Sequence, residues 1–323
     1  MEKSFGWCFI GSGTLANIVA KQIVGSENHR IVSVYTRNPE KCSLFAEKWG
    51  AAAYASAEEA MTADGVDGVY IVTPHTTHFL YAKQAILLGK AVLCEKPFTV
   101  TAKEAEELIA LAREKKVYIA EAMWTWFSPV ANQVKTWLDE GEFGKLQKVV
   151  ASYHMYSAGY APRVTDPKVA GGALLDVGVY PITYLYRLFG NPVSVKCRGI
   201  VEKGIDWCED IDMTFSGGET YTATASIRDF WGFERLVLKG EKAKTHILMF
   251  HGANRAKLVR KDGKNEVFSG DGSYLNEFNR AAEEIRQGLT ESRYVPHQAT
   301  LDVMRIMDEC RAQMNLVYPF ERG

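Results

Sequence analysis

The chain has 323 residues, of which 47% are hydrophobic and 24% are charged, and its formal net charge is -1. The length exceeds what one hydrophobic core usually fills and the composition is that of a soluble globular protein, so we expect two domains. The nearly balanced charge provides no long-range field toward nucleic acid or an anionic membrane, so neither is an expected partner.

The six cysteines are scattered along the chain without a C-x-x-C pair. We therefore expect neither a disulfide framework nor a bound metal. The first apolar segment begins within a few residues of the start, which leaves no room for a signal peptide. No apolar run approaches the length of a membrane span. These features predict a cytoplasmic protein.

The chain opens with a strand, a glycine turn and a helix. Residues 5–10 form an apolar run, and Gly11-Ser-Gly13 leads into a helical pattern over residues 15–23. The start of such a helix offers free amides and a positive dipole end to a phosphate. Gly11 permits the tight turn, Gly13 allows a pyrophosphate to approach the backbone, and Ala16 allows close helix–strand packing. This arrangement predicts a dinucleotide site.

The second predicted strand, residues 30–35, is followed by Arg37, and no acidic residue occurs before Glu40. An enzyme selective for NAD usually has an acid here to hold the ribose 2′-hydroxyl. Arg37 and Lys41 suit a 2′-phosphate instead. The alternative is that both are solvent-facing charges at a helix start. We expect NADP, with NAD as the other possibility.

The next predicted strand, residues 68–72, ends in Thr73-Pro74-His75, and His78 follows. Two histidines three residues apart, without a carboxylate or a third ligand, are poor evidence for a metal site. We expect Thr73 and Pro74 to shape the floor of the cofactor site. His78 is expected to cap or pack the following helix.

Residues 91–94 predict a buried strand that ends in Glu95-Lys96-Pro97. Ligands of open parallel sheets bind outside the carboxyl ends of the strands, which makes Lys96 a candidate functional residue. The alternative is a solvated Glu–Lys pair at a strand end. The alternation of strands and helices up to this point predicts an α/β fold with a doubly wound parallel sheet.

A helix is predicted over residues 101–115, with Thr101 and Glu104 as its capping box, and a strand over residues 117–120. We place a domain boundary directly after it, with a dinucleotide-binding domain at 1–122 and a substrate-binding and oligomerisation domain at 123–323.

The second half contains strand-like segments joined by turns such as those at 216–218 and 262–263. They predict a C-terminal α+β domain with a large, open, mainly antiparallel sheet. Its outer face is expected to be solvated or covered by another subunit. Helices over 273–287 and 297–315 close the chain.

A second candidate constellation follows the glycine pair Gly171-Gly172. Asp176 and Tyr180 are four residues apart and share one face of a predicted helix. A buried carboxylate beside a phenol needs partners, which a lysine and a polar substrate would supply. The alternative is that Asp176 ties the loop and Tyr180 packs in the core. Trp124 and Arg163 are further candidates, for which packing and surface roles are the alternatives.

These motifs resemble the Gfo/Idh/MocA family (glucose–fructose oxidoreductase/inositol dehydrogenase), closest to its branch of dihydrodiol and D-xylose dehydrogenases. The resemblance implies a Rossmann domain, a C-terminal sheet domain and a homodimer or higher homo-oligomer formed through that sheet. Many sugar-type members have histidine and aspartate where this chain has Tyr180 and Thr183, which argues against an inositol dehydrogenase. His75 stands where many members have asparagine.

The resemblance also implies roles for individual residues. The catalytic residues would be Lys96, Tyr180 and Asp176, and the substrate-binding residues Trp124, Arg163, Asp176 and Tyr180. The cofactor-binding residues would be Gly11, Ser12, Gly13, Thr14, Leu15, Arg37, Lys41, Thr73, Pro74, His75, His78, Glu95 and Lys96.

The expected reaction is hydride transfer between NADP and a CH–OH group of a polyol, sugar or dihydrodiol. Tyr180 would be the acid/base, with its phenolate favoured by Lys96, and Lys96 itself is the other candidate. Asp176 would orient Tyr180 or a substrate hydroxyl. Two alternatives stay open: a cofactor-binding regulator or redox sensor without turnover, and an enzyme with tightly held cofactor that shuttles hydride between two sugars.

Overall fold

The secondary structure is described for residues 4–157 and 162–321 of a computed structural model. The strands are β1 Phe5–Ile10, β2 His29–Tyr35, β3 Ala52–Ala53, β4 Gly68–Ile71, β5 Ala91–Glu95, β6 Ile119–Ala122, β7 Leu146–Tyr156, β8 Ser194–Glu202, β9 Ile205–Thr214, β10 Thr220–Ser226, β11 Arg228–Gly240, β12 Ala243–Leu248, β13 Arg255–Arg260 and β14 Glu266–Ser269. The helices are α1 Thr14–Val24, α2 Pro39–Trp49, α3 Ala57–Thr62, α4 His78–Leu87, α5 Ala102–Lys115, α6 Trp124–Phe127, α7 Pro129–Asp139, α8 Val179–Phe189, α9 Leu275–Arg286 and α10 His297–Gln313.

The chain divides into two compact units. It passes from one to the other after Met123, after Ser273 and, within α10, after Leu301. The first unit comprises the residues up to Met123 together with Tyr274–Leu301. Its sheet has the strand order β3-β2-β1-β4-β5-β6, and every adjacent pair is parallel. This is the predicted doubly wound sheet. Its order reverses between β1 and β4, where such sheets bind nucleotides.

The core of the first unit includes a helix from late in the chain. Every residue of β1 and of β5 is buried, as expected for strands covered by helices on both faces. Phe278 of α9 packs edge-on against Trp7 at 5.0 Å and against Tyr70 at 4.9 Å between ring centroids. The sequence analysis did not anticipate that α9 would join this core. The division into a dinucleotide-binding domain at 1–122 and a second domain at 123–323 stays a prediction.

The second unit comprises Trp124–Ser273 and the residues from Asp302 onward. Its sheet has the order β14-β13-β12-β11-β7-β10-β9-β8. Only the pair β7–β10 is parallel among these described strands, which confirms a large, mainly antiparallel sheet. Residues of β12 alternate strictly between buried and exposed, so one face packs on the core and the other is open.

Two further observations concern the described residues as a whole. None of their helices has both the length and the apolar character needed to cross a membrane. All six cysteines lie within these residues and are free thiols.

Candidate active site

The turn after β1 in the first unit has the geometry of a phosphate-binding loop. Gly11 has a φ of +117°, and a Cβ at this position would lie 2.6 Å from the Val72 carbonyl oxygen, so only glycine fits. Gly13 precedes α1 in an extended conformation, and its side chain provides no cap. A Cβ at Gly13 would meet no protein atom within 4 Å. Open space beside uncapped helix amides fits a pyrophosphate.

The neighbouring residues of this turn differ in exposure. Ser12 and Leu15 are half-buried, and Thr14 is exposed as the first residue of α1. Their backbones form the start of the helix, so any contact they make to a phosphate comes through the main chain.

Arg37 and Lys41 lie beyond the carboxyl end of β2, and both are exposed. Asn38 accepts a hydrogen bond from the Lys41 backbone at 2.9 Å and thereby caps α2. The helix start is thus fixed by a neutral side chain. Arg37 precedes it without an acid between β2 and Arg37, and Lys41 follows Glu40 in the first turn of the helix. This donor set fits the 2′-phosphate of NADP better than the 2′-hydroxyl of NAD.

The loops after β4 and β5 are joined through His78. Its ring nitrogens lie 2.9 Å from the Thr73 carbonyl oxygen and 3.0 Å from that of Pro97. The ring is buried, and burial lowers the pKa of His78. Thr73 and Pro74 are half-buried, and His75 is buried 5.9 Å from the His78 ring. His78 packs the start of α4, as expected, and a direct contact of either histidine with the cofactor stays a prediction.

Lys96 directly follows β5, at the edge of the sheet where ligands are expected. The Tyr70 hydroxyl donates to Glu95 Oε1 at 2.7 Å, and the Lys96 backbone donates to Glu95 Oε2 at 3.2 Å. Glu95 is buried, whereas Lys96 is half-buried. The glutamate therefore holds the backbone from which the lysine side chain projects.

Further buried carboxyl groups of the first unit include those of Glu121 and Glu277, which the sequence analysis did not name as candidates. Glu121 accepts hydrogen bonds from the Phe98 backbone at 3.2 Å and from the Thr300 hydroxyl at 3.0 Å. Burial raises its pKa to about 7. Burial and the nearby charge of Glu95 raise the pKa of Glu277 well above its usual value. A feature of the sequence that could have indicated Glu121 is its place as an acid within the apolar segment Ile119–Ala122.

In the second unit, Asp176 lies in a π-helical turn, Leu174–Gly178, directly before α8. The sequence predicted an ordinary helix here, and the wider turn changes the spacing between Asp176 and Tyr180. Arg163 Nη1 donates to Asp176 Oδ1 at 2.9 Å. The side chain of Asp176 is 9% exposed and that of Arg163 is 45% exposed. The structure therefore brings these two predicted residues together.

Tyr180, at the start of α8, lies among aromatic side chains of the second unit. Trp124 Nε1 donates to the Tyr180 hydroxyl oxygen at 3.2 Å, and both residues are buried. The rings of Tyr153 and His251 lie 5.7 Å and 5.1 Å from that of Tyr180. The structure thus brings Trp124 and Tyr180 together, and their role in substrate binding stays a prediction. The sequence analysis missed Tyr153 and His251, which belong to separate parts of the chain.

Each unit contains candidate site residues of its own. The first unit has a dinucleotide turn and a lysine at the carboxyl end of a strand. The second unit has a phenol, a carboxylate and aromatic side chains that suit a small cyclic ligand.

Comparisons with known proteins agree with this description. Residues 5–122 match the family model described as "Oxidoreductase family, NAD-binding Rossmann fold" (GFO_IDH_MocA), and residues 131–246 match the GFO/IDH/MocA C-terminal domain. The chain is 32% identical to trans-1,2-dihydrobenzene-1,2-diol dehydrogenase of Mus musculus, with 98% of each chain covered. It is 30% identical to scyllo-inositol 2-dehydrogenase (NADP(+)) IolU of Bacillus subtilis (strain 168), with 98% of this chain and 99% of the relative covered.

A solved structure is similar throughout its fold. KijD10, a 3-ketoreductase from Actinomadura kijaniata in complex with NADP and TDP-benzene, has a TM-score of 0.88 at 22% identity. The alignment covers 97% of this chain and 98% of that chain. At this identity the likeness concerns the fold alone.

Proposed function

Because the chain belongs to the Gfo/Idh/MocA oxidoreductase family, we propose that it transfers a hydride between NADP and a CH–OH group of a cyclic diol or a sugar. The observation that carries the proposal is Lys96, presented at the carboxyl end of β5 by the buried Glu95. The two similar relatives are named for substrates with neighbouring hydroxyls on a ring, a dihydrodiol and an inositol.

NADP is the proposed cofactor, and it supplies the hydride acceptor or donor of the reaction. The open space at Gly13 would receive the pyrophosphate, and Arg37 with Lys41 would hold the 2′-phosphate. The similar relative from Bacillus subtilis is named as an NADP(+) enzyme, which supports this choice over NAD.

We assign the proton transfer to Tyr180 or Lys96 and the orientation of the reacting hydroxyl to Asp176. When the carbinol carbon loses its hydride, its hydroxyl proton must pass to a protein group. The indole N–H of Trp124, at 3.2 Å, stabilises negative charge on the Tyr180 oxygen and so favours its role as acceptor. Arg163 Nη1 donates to Asp176 Oδ1 at 2.9 Å and so restricts the movement of this carboxylate.

The test is reduction of NADP⁺ and of NAD⁺ by the purified protein with trans-1,2-dihydrobenzene-1,2-diol, D-xylose, D-glucose and scyllo-inositol. Turnover with a diol or a sugar, faster with NADP⁺, is the expected result. Lys96→Met should lower kcat by about 1,000-fold or more and change the Kd of NADPH only a few-fold. Lys90→Met is the matched control. Lys90 directly precedes β5, at the end of the strand opposite to Lys96, and its side chain donates to the Val66 carbonyl oxygen at 3.2 Å.

Near-normal turnover of Lys96→Met would refute the assignment of Lys96. NADPH binding without turnover on any substrate would favour a regulator or redox sensor. The cytoplasmic location expected from the sequence stays a prediction.

We also propose that a second copy of the chain covers the exposed end of β11. Phe230 is 69% exposed and Trp231 is 89% exposed. Neighbouring apolar side chains of this kind on a sheet are typical of subunit interfaces. This supports a homo-oligomer formed through the C-terminal sheet.

A further inference from the structure

A histidine–glutamate pair lies beside Tyr180 in the second unit. His251 Nδ1 and Glu234 Oε2 are 2.6 Å apart, and the His251 backbone N–H donates to Glu234 Oε1, also at 2.6 Å. The side chain of Glu234 is 2% exposed and that of His251 is 17% exposed. The carboxylate is therefore committed to this one histidine.

The imidazole is held within the aromatic wall that surrounds Tyr180. Its ring centroid is 5.1 Å from those of Tyr180 and Tyr153, and 5.2 Å from that of Trp124, which meets it edge-on. The Thr125 hydroxyl donates to the His251 carbonyl oxygen at 3.0 Å. The ring and its backbone are therefore fixed relative to the phenol.

The hydrogen bonds define which ring nitrogen faces a ligand. Both oxygens of Glu234 accept from His251, as an ionised carboxylate does, so Nδ1 carries a hydrogen. The hydrogen bonds that His251 makes within the described residues run through Nδ1 and the backbone. Nε2 is the atom left for a ligand, and in the neutral ring it is an acceptor.

We propose that His251 binds substrate through Nε2, which accepts a hydrogen bond from the hydroxyl next to the one that is oxidised. Glu234 is its positioning residue. The inference rests on the proposed function, because it takes the reacting hydroxyl to lie at Tyr180. It narrows the substrate class to vicinal diols, since a substrate without the second hydroxyl leaves Nε2 without a partner in a partly desolvated site.

The chain offers a matched control in His154 of β7. Its Nδ1 contacts Asp229, and its Nε2 lies 2.8 Å from the Thr224 hydroxyl. Its side chain is 17% exposed, as is that of His251. Both nitrogens of His154 thus have protein partners, and its replacement tests the loss of an imidazole from the same unit without the loss of a ligand contact.

The experiment compares kcat/KM for trans-cyclohexane-1,2-diol and for cyclohexanol, with NADP⁺ in the wild type and in two substitutions of His251. His251→Asn retains an amide near Nδ1 and removes Nε2, whereas His251→Gln retains a polar atom near Nε2. We expect His251→Asn to lower kcat/KM for the diol by about 100-fold and for cyclohexanol by less than about 3-fold. His251→Gln should restore part of the diol activity, and Glu234→Gln should raise KM for the diol more than it lowers kcat.

The result that would overturn the inference is an equal loss on both substrates, or no loss on either. His154→Asn should leave the ratio of the two kcat/KM values unchanged. If the wild type oxidises neither compound, the proposed function fails for this substrate class. The contact between His251 and the diol is then tested by binding alone. In that case ¹⁵N–¹H spectra of the histidine rings are recorded during titration with each compound. A shift of His251 Nε2 by the diol alone supports the inference, and no shift refutes it.

Discussion

Glu121 allows the cost of a buried carboxyl group in the first unit to be measured. Its side chain is 4% exposed, and its oxygens accept hydrogen bonds from the Phe98 backbone and the Thr300 hydroxyl. Burial raises its pKa from the usual 4.5 to about 7, because the charged form loses hydration that these bonds replace only in part. The perturbation is Glu121→Gln, which removes the ionisation and keeps the shape.

The sign follows from proton linkage. The pKa of Glu121 is higher in the folded than in the unfolded state, so the folded state holds more protons between the two values, and the free energy of unfolding falls as pH rises. A change from 4.5 to about 7, at about 1.4 kcal/mol per unit, corresponds to about 3 kcal/mol. The stabilisation is fully present below the lower value and is lost as pH rises through the upper one. Glu121→Gln does not undergo this loss.

The assay is calorimetric unfolding of both proteins at about pH 5 and about pH 8, where about 2.5 kcal/mol of the linkage is expected. A unit of this size gains about 2–4 °C in Tm per kcal/mol. Between about pH 5 and about pH 8, the difference in Tm between Glu121→Gln and the wild type should therefore increase by about 5–10 °C in favour of the variant. Other buried acids, such as Glu277, affect both proteins equally. Glu107→Gln, on an exposed ion pair with Lys83, controls for the loss of a surface carboxylate. An unchanged Tm difference at the two pH values would refute the reasoning.

Three further predictions concern binding and assembly. Gly13→Ala should leave Tm within about 2 °C, since the added Cβ meets no protein atom within 4 Å, and raise the Kd of NADPH about 10-fold or more by filling the pyrophosphate space; unchanged calorimetric binding would contradict this. Arg37→Ala should raise the KM of NADP⁺ about 10-fold and that of NAD⁺ less than about 2-fold, through the loss of a charge-assisted hydrogen bond; equal effects in steady-state kinetics would exclude a 2′-phosphate contact. Trp231→Glu, at a side chain that is 89% exposed, should halve the mass measured by light scattering if a second copy covers β11; an unchanged mass would place the interface elsewhere.

The parts of the fold that depend on neighbouring residues were predictable from the sequence. The glycine turn between β1 and α1 was expected from Gly11 and Gly13 and is present. The capping box of Thr101 and Glu104 was expected and begins α5. The turn at 262–263 joins β13 to β14 as a hairpin, with Gly263 at a φ of +83°. Each of these is determined by backbone conformations and hydrogen bonds within a few residues.

The contacts that complete the candidate site were not predictable in this way. Glu234 and His251 lie on different elements, and only the pairing of β11 with β12 and the turn that follows bring them together. Phe278 reaches the core of the first unit from more than 200 residues beyond Tyr70 along the chain. The π-helical turn at Leu174–Gly178 depends on what packs beneath it. Local patterns carry no information about such distant partners.

Buried carboxyl groups support the loop that carries the candidate lysine. Glu95 accepts hydrogen bonds from the Tyr70 hydroxyl and the Lys96 backbone, and Glu277 is buried in the same unit. A buried carboxyl group lowers stability unless its hydrogen bonds compensate. Here one of the bonds is made to the Lys96 backbone, so the cost accompanies a fixed position for the candidate lysine.

In the second unit, a buried carboxyl group likewise holds the backbone of the turn that contains Asp176. The fully buried Asp206 accepts a hydrogen bond from the Leu174 backbone at 2.5 Å, at the start of the π-helical turn. Gly172 makes room for it, because a Cβ there would lie 2.1 Å from Asp206 Oδ1 at a φ of +135°. Burial raises the pKa of Asp206, and burial together with Asp206 raises that of Glu209 further. The absence of a side chain at Gly172 therefore makes room for the buried carboxyl group of Asp206. Asp206 in turn holds the start of the π-helical turn that contains Asp176. In this way a glycine two positions before Leu174 helps to determine where Asp176 lies.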